Sequence, residues 1–219
     1  VAFPTVTTVL DSFNRANESP LSASAGWDQN DYFGGTSNLL RLASNQALKL
    51  QVAAAGWGAQ VWGTAYGPDT EAYATIAAKP GVDTYEILTI YARLVQIGST
   101  VDGYCVQVLE GTAGTDEWLI FRVDNNSFTQ LGATVTQEVT VGDKIGLEII
   151  GSTIKGYLFT GGSWTEVISR SDSNHTAAGK VCLEVRGVNG RLDDFVAGTV
   201  VTGGGGSSPR LLGTLGAGT

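Results

Sequence analysis

Along EILTIYARLV (86–95), Leu88, Ile90, Ala92 and Leu94 fall on one parity and Thr89, Tyr91 and Arg93 on the other. A period of two belongs to a strand whose faces meet different surroundings. The alternation recurs in GYCVQVLE (103–110), where Val106 and Val108 oppose Cys105 and Gln107. In KVCLEVRG (180–187), Val181, Leu183 and Val185 oppose Cys182, Glu184 and Arg186. In EWLIFRV (117–123), Leu119, Phe121 and Val123 read as the aliphatic side, and Trp118, Ile120 and Arg122 as the mixed one. ALKLQV (47–52), GAQVWG (58–63), EAYATIAA (71–78), KIGLEII (144–150), TIKGYLF (153–159) and RLDDFVAG (191–198) are further strand candidates. Between them GTAGTD, DNNS, VGD, TGGS and VNG carry turn chemistry. IIGSTIKGYLF predicts a hairpin bent at its Gly-Ser. No window sustains a helical period. Short strands joined by tight turns predict an all-β sandwich or jelly roll.

If these strands share a sheet, one face is aliphatic and the other is semi-polar. The semi-polar face would carry Tyr91, Arg93, Gln107, Trp118, Arg122, Glu184 and Arg186, and AGWGAQVWG adds Trp57 and Trp62 on or beside a strand. Flat aromatic faces beside planar hydrogen-bonding groups suit sugars. Aromatic and Arg enrichment also suits protein interfaces, so this surface is a candidate for either a glycan or a partner. Cys105 and Cys182 fall on the same parity, as buried thiols or as one long-range bridge.

Composition narrows the possibilities. The chain has 219 residues, 21 acidic against 13 basic, for a net charge of −8. An acidic surface repels phosphates, which argues against a nucleic-acid partner. No apolar run approaches the roughly 20 residues of a membrane helix. VAFPTVTTV lacks the basic and apolar regions of a signal peptide. One histidine and two dispersed cysteines do not make an ordinary zinc site. His175 reads as a solvated loop residue; its neighbours Asp172 and Ser173 do not form a nucleophilic triad with it. The GGGG run precedes neither a helix nor a GK[ST] and is not a phosphate loop.

LDSFNRANESPLSASAGWD (10–28) is more specific. It resembles the opening of concanavalin A-like jelly-roll domains of the laminin G and glucanase type, D-x-F-x-R-x-(D/N)-x-x-x-L with a Trp soon after. Asp11, Phe13, Arg15, Asn17, Leu21 and Trp27 carry the match, and RLDDFVAG resembles the closing strand of those domains. The resemblance implies a concanavalin A-like β-sandwich whose first and last strands pair. Phe13 and Phe195 would then plug the core, and Arg15 would meet Asp11 or Asp194. A calcium site at Asp11 and Asp194 is the alternative use of those carboxylates. Glucanases of this fold carry E-x-D-x-x-E on one strand, and that pattern is absent here. The expectation is therefore a non-enzyme without a cofactor, calcium aside.

The opening also resembles domains of tailed-bacteriophage minor tail and decoration proteins, and of secreted carbohydrate-binding proteins. The resulting organisation is an N-terminal arm (1–8), a jelly roll (9–201), and a Gly-rich spacer with an apolar C-terminal anchor (202–219). The anchor is centred on Pro209, Leu211, Leu212 and Leu215. The first functional expectation is a structural virion protein, oligomeric and held to other virion proteins by its arms. The alternative is a carbohydrate-binding module, secreted or meeting a host-surface glycan, with a glycoside hydrolase behind both.

Overall fold

The computed structural model describes residues 2–30, 32–33, 39–50, 56–81, 86–97, 99–111 and 114–201. Among these residues fifteen strands form two antiparallel sheets. They are β1 (Val9–Asp11), β2 (Leu40–Ala43), β3 (Gln46–Lys49), β4 (Trp57–Tyr66), β5 (Thr70–Ala78), β6 (Ile87–Ile97), β7 (Thr100–Glu110) and β8 (Asp116–Asp124). Then come β9 (Ser127–Gln130), β10 (Val135–Thr136), β11 (Lys144–Ile150), β12 (Thr153–Thr160), β13 (Ser163–Ser171), β14 (Gly179–Arg186) and β15 (Arg191–Thr199). One eight-stranded sheet runs β13-β12-β11-β5-β15-β3-β2 with β1 beside β15. The seven-stranded sheet runs β10-β8-β7-β6-β14-β4 with β9 beside β8. Between the sheets lies an aliphatic core that includes Leu88, Ile90, Val106, Val108, Ile145, Leu147, Val181 and Leu183. The β11–β12 hairpin turns at Gly151 and Ser152, with Gly151 at φ 57°, as its sequence predicts.

The opening motif closes the sandwich. Val9 and Asp11 of β1 pair with Val196 and Phe195 of β15. Phe13 and Phe195 are both fully buried, and Trp27 stacks between them at 6.0 and 5.5 Å. The Asp11 carboxylate accepts from the Phe13 amide at 2.7 Å, Arg15 Nη1 at 2.6 Å and Trp27 Nε1 at 2.7 Å. Both Asp11 oxygens thus meet protein donors, so this carboxylate serves the closure of the sandwich. No group of three candidate metal ligands occurs among the described residues. Arg15 also forks onto Glu18 at 2.8 and 2.9 Å, and that hydrogen bond holds the Glu18 carboxyl down at about 2.

The front arm lies on its own sandwich, against the expectation that it reaches a neighbour. Phe3 stacks on Tyr157 at 4.2 Å and meets Trp164 and Tyr73 edge-on at 4.8 and 6.2 Å. Gly146 floors this box: a Cβ there would stand 2.6 Å from Phe3 Cζ. The Thr5 hydroxyl then accepts from the Val201 amide at 2.8 Å, tying the arm to the end of the last strand. The proposed anchor at Pro209, Leu211, Leu212 and Leu215 lies outside the described residues.

Candidate functional site

The outer face of the seven-stranded sheet carries the candidate site, with a different membership from the sequence reading. Register places Ala59, Glu184, Thr89, Gln107 and Leu119 side by side across β4, β14, β6, β7 and β8. Hydrogen-bonding side chains therefore occupy three adjacent strands, each about 4.8 Å from the next. The neighbouring row is Val61, Cys182, Tyr91, Cys105 and Phe121. Trp57 pairs with Arg186 at one flank, its ring under the guanidinium at 5.8 Å.

Glu184 organises this surface. It is fully buried and accepts from the Tyr91 hydroxyl and from Arg186 Nε. Burial, with Glu184 beside it, holds the Tyr91 phenol well above its ordinary range, so it stays a donor. Thr89, between Glu184 and Gln107, is 0% exposed and its Oγ1 has no hydrogen-bond partner among the described residues. Aromatic rings border the polar row on both sides. Phe33 packs edge-on to Trp57 at 5.6 Å, and Phe128 meets Phe121 at 6.1 Å and Tyr91 at 6.4 Å.

One corner of the same face opens into a cavity of about 220 Å³ lined in part by Tyr32, Leu94, Gln96 and Lys180. Lys180 Nζ lies 2.6 Å from Asp28 Oδ2 and 2.7 Å from the Tyr32 hydroxyl, which itself donates to Asp28 at 2.8 Å. Burial pushes the Asp28 carboxyl up, but Lys180, the Asn30 amide and Tyr32 outweigh it and hold it below its ordinary range.

Tyr91, Gln107, Glu184, Arg186 and Trp57 are thus brought together as the alternation predicts. Trp118 and Trp62 are not. Trp118 pairs with Val108 and is fully buried between the sheets, its Nε1 donating to the Gln137 carbonyl at 2.9 Å. Trp62 faces inward against Trp27 at 5.3 Å. Arg122 shares the inward parity of Trp118 and ends at the sheet margin, on Asp124 at 2.7 Å and Asp172 at 2.8 Å.

Arg93 leaves the face for another reason. A bulge interrupts the β6–β7 pairing between Ala92 and Val95, with Arg93 at φ 53°. Its buried guanidinium reaches the Pro68 carbonyl and, at 2.9 Å, the His175 carbonyl, while Leu94 joins the outer cluster. His175 is correspondingly fixed rather than solvated, its Nε2 2.8 Å from Asp124 Oδ1. Thr89 was visible on the right parity but was not singled out as a site residue. Tyr32, Phe33 and Lys180 come from a loop and a strand end that alternation does not mark.

The thiol question closes on register. Cys105 and Cys182 each pair with Tyr91, from opposite sides. Two strand spacings separate them, roughly 9–10 Å, beyond the ~7 Å Cα reach of a disulfide. Both are free and buried, and burial pushes their thiols well up.

No protein-family model matches the chain, and no curated protein matches it in sequence. Solved structures do match. The carbohydrate-binding module CBM66 from Bacillus subtilis aligns at TM-score 0.54 and 16% identity, covering 80% of this chain and 96% of that one. The exoplasmic/lumenal domain of VIP36, in a Ca²⁺/Man3GlcNAc-bound form, aligns at TM-score 0.62 and 10% identity, covering 84% and 88%. LamA from Z. galactanivorans, in complex with laminaritriose and laminaritetraose, aligns at TM-score 0.51 and 13% identity, covering 90% and 99%. The chain has the lectin-like jelly-roll fold. At these identities the likeness concerns architecture alone.

Proposed function

We propose that this chain is a non-catalytic carbohydrate-binding domain that takes a glycan on the outer face of the seven-stranded sheet. One observation carries the reading: solvent-reachable rings and a guanidinium flank the Glu184–Thr89–Gln107 row on the outer face, Trp57 under Arg186 on one side and Phe121 with Phe128 on the other. Sugar hydroxyls pair with such groups while their C–H faces stack on the rings. The matched carbohydrate-binding module and the mannoside-bound lumenal domain support the ligand class. A secreted or exoplasmic setting accompanies it, and no described helix is long and apolar enough to cross a membrane.

The virion reading has less to stand on. It rests on terminal arms that reach neighbours; the front arm is bound to its own sheet, and the C-terminal anchor lies outside the described residues. The matched structures named above include a carbohydrate-binding module and a mannoside-bound lumenal domain, and they give a virion role no support. The buried pair Glu71–Glu148 does not restore the hydrolase either. Its carboxylates are 0% and 3% exposed, with the arm hydrogen-bonded to Glu71, so no glycosidic bond can lie between them.

The test is a glycan array followed by calorimetry on any hit. Trp57→Ala and Gln107→Ala should each weaken binding at least tenfold, about 1.4 kcal/mol, with the fold retained by circular dichroism. Affinity unchanged in both variants would overturn the assignment of this face.

A further inference from the structure

Glu71 of β5 and Glu148 of β11 are Cα partners, so their side chains leave the same face of the eight-stranded sheet with Cβ atoms about 5 Å apart. Each has one satisfied and one unsatisfied oxygen. Glu71 Oε1 accepts from the Thr5 amide at 2.7 Å, the Thr5 hydroxyl at 2.9 Å and the Val6 amide. Glu148 Oε2 accepts from the Tyr157 hydroxyl at 3.2 Å. Glu71 Oε2 and Glu148 Oε1 are buried without a partner among the described residues.

A buried acceptor without a donor is costly, and two ionised carboxylates buried side by side are costlier still. A single proton removes both difficulties, because a protonated carboxyl donates and an ionised one accepts. The proton's place follows from the donors. Three arm groups donate to Glu71, whereas a single phenol donates to Glu148, with the Lys155 charge acting on it from a distance. We propose that Glu148 carries a proton on Oε1 and donates it to Glu71 Oε2, and that this pair is the latch holding residues 2–7 on the sheet.

The surroundings agree. Burial pushes both carboxyls above their ordinary range; the Val6 and Thr5 hydrogen bonds on Glu71, and the Tyr157 hydrogen bond and Lys155 charge on Glu148, oppose it without cancelling it, and the charge on Glu71 adds to the rise of Glu148. On β12, Lys155 pairs with Glu148 but directs its ammonium to Glu166 of β13 at 2.7 Å. On β11, Lys144 sits over the Tyr73 ring at 5.7 Å. From β15 the partner of Glu71 is Gly198, while Asp194 acts on Tyr73. The arm from Ala2 to Thr8 has no titratable side chain. The sign follows: a raised folded value means the stabilisation is present at low pH and is lost as pH rises through that value. Deprotonation then leaves two charges beneath the arm, and the arm lifts.

Two measurements on the full chain test this. Infrared difference spectroscopy with ¹³C-labelled Glu should show a protonated carboxyl at neutral pH that Glu148→Gln removes. Hydrogen exchange at Thr5 and Val6, corrected for intrinsic rates, should lose protection at least tenfold as pH rises from about 6 to about 10. Glu148→Gln keeps a permanent donor, so its protection should stay flat. Absence of the protonated band, or the same pH profile in Glu148→Gln, overturns the latch. Protection that follows added Ca²⁺ or K⁺ instead of pH overturns it in favour of a cation between the two oxygens. The infrared result on the unsubstituted chain decides the matter even if the variant fails to fold.

Discussion

The outer face of the eight-stranded sheet is covered by the chain's own residues: Phe3 fills the space above Gly146, and Thr5 and Val6 satisfy Glu71. On the outer face of the seven-stranded sheet Phe128 stays 38% exposed, and Trp57, Phe121 and Arg186 are half-buried. Both faces place aromatic side chains beside carboxylates, and both hold a buried hydroxyl or carboxylate oxygen unpaired among the described residues, so neither composition nor pairing tells them apart. What differs is what lies over the rings. On the first face Phe3 and the amides of Thr5 and Val6 arrive from the same chain. On the second, rings at the margin of the polar row stay open to solvent, and a polar, ring-bordered surface suits a ligand from outside.

The largest expected effect tests that contrast directly. Phe3→Ala removes a ring packed against Tyr73, Tyr157 and Trp164. It should cost about 3 kcal/mol in denaturant unfolding and leave glycan affinity alone. Trp57→Ala should cost about 1 kcal/mol or less and remove affinity. Equal unfolding costs would mean that both faces are structural. Gly146→Ala comes next. Its Cβ would stand 2.6 Å from Phe3 Cζ and 3.2 Å from Trp164 Cζ3, so the arm must yield, at about 1–3 kcal/mol. Because the clash is with Phe3, that cost should shrink when Gly146→Ala is placed in a Phe3→Ala background. An additive double variant would show that the box is not built around Phe3.

The faces should also respond to pH with opposite signs. Beneath the arm the carboxyls are raised, so stability falls as pH rises. At the corner of the other face Asp28 is held down by Lys180, the Asn30 amide and Tyr32, against its burial. A lowered carboxyl contributes stability above its unfolded value, and that contribution is lost as pH falls through the folded one. Melting temperature in acid should therefore drop less steeply in Lys180→Met than in the unsubstituted chain. Parallel acid profiles would remove Lys180 from the account of Asp28.

Much of the sandwich was legible because alternation and turn chemistry are local. β11 and β12 follow their patterns closely, and the opening motif named the residues that close the sheet. The failures have physical causes. SWTEVISRS forms β13 at a sheet edge, where one residue of nine, Ile168, is buried and no alternating apolar stripe results. In β8 both parities are apolar, so only the pairing of Trp118 with Val108 decides which faces the core. The bulge at Arg93 exchanges the faces within one strand, and no pattern in EILTIYARLV announces it. Trp57 and Trp62 are five residues apart, which on one strand places them on opposite faces. The Glu71–Glu148 pair escaped a search for carboxylates along a strand because it forms between strands.

The smallest expected effects are at Thr89. Thr89→Val replaces the unpaired hydroxyl by a methyl group of nearly the same size. No described residue satisfies that hydroxyl, so the change should be neutral, or stabilising by up to about 1 kcal/mol. Thr89 is buried, so a glycan on this face does not reach the hydroxyl, and affinity should stay within about twofold of the parent. A variant that loses binding would show that the face opens to admit a ligand as deep as the sheet, and would extend the site from Trp57, Gln107 and Arg186 to Thr89. One that is clearly destabilised would mean that the hydroxyl has a partner within the fold, and the contrast between the two faces would narrow to the arm alone.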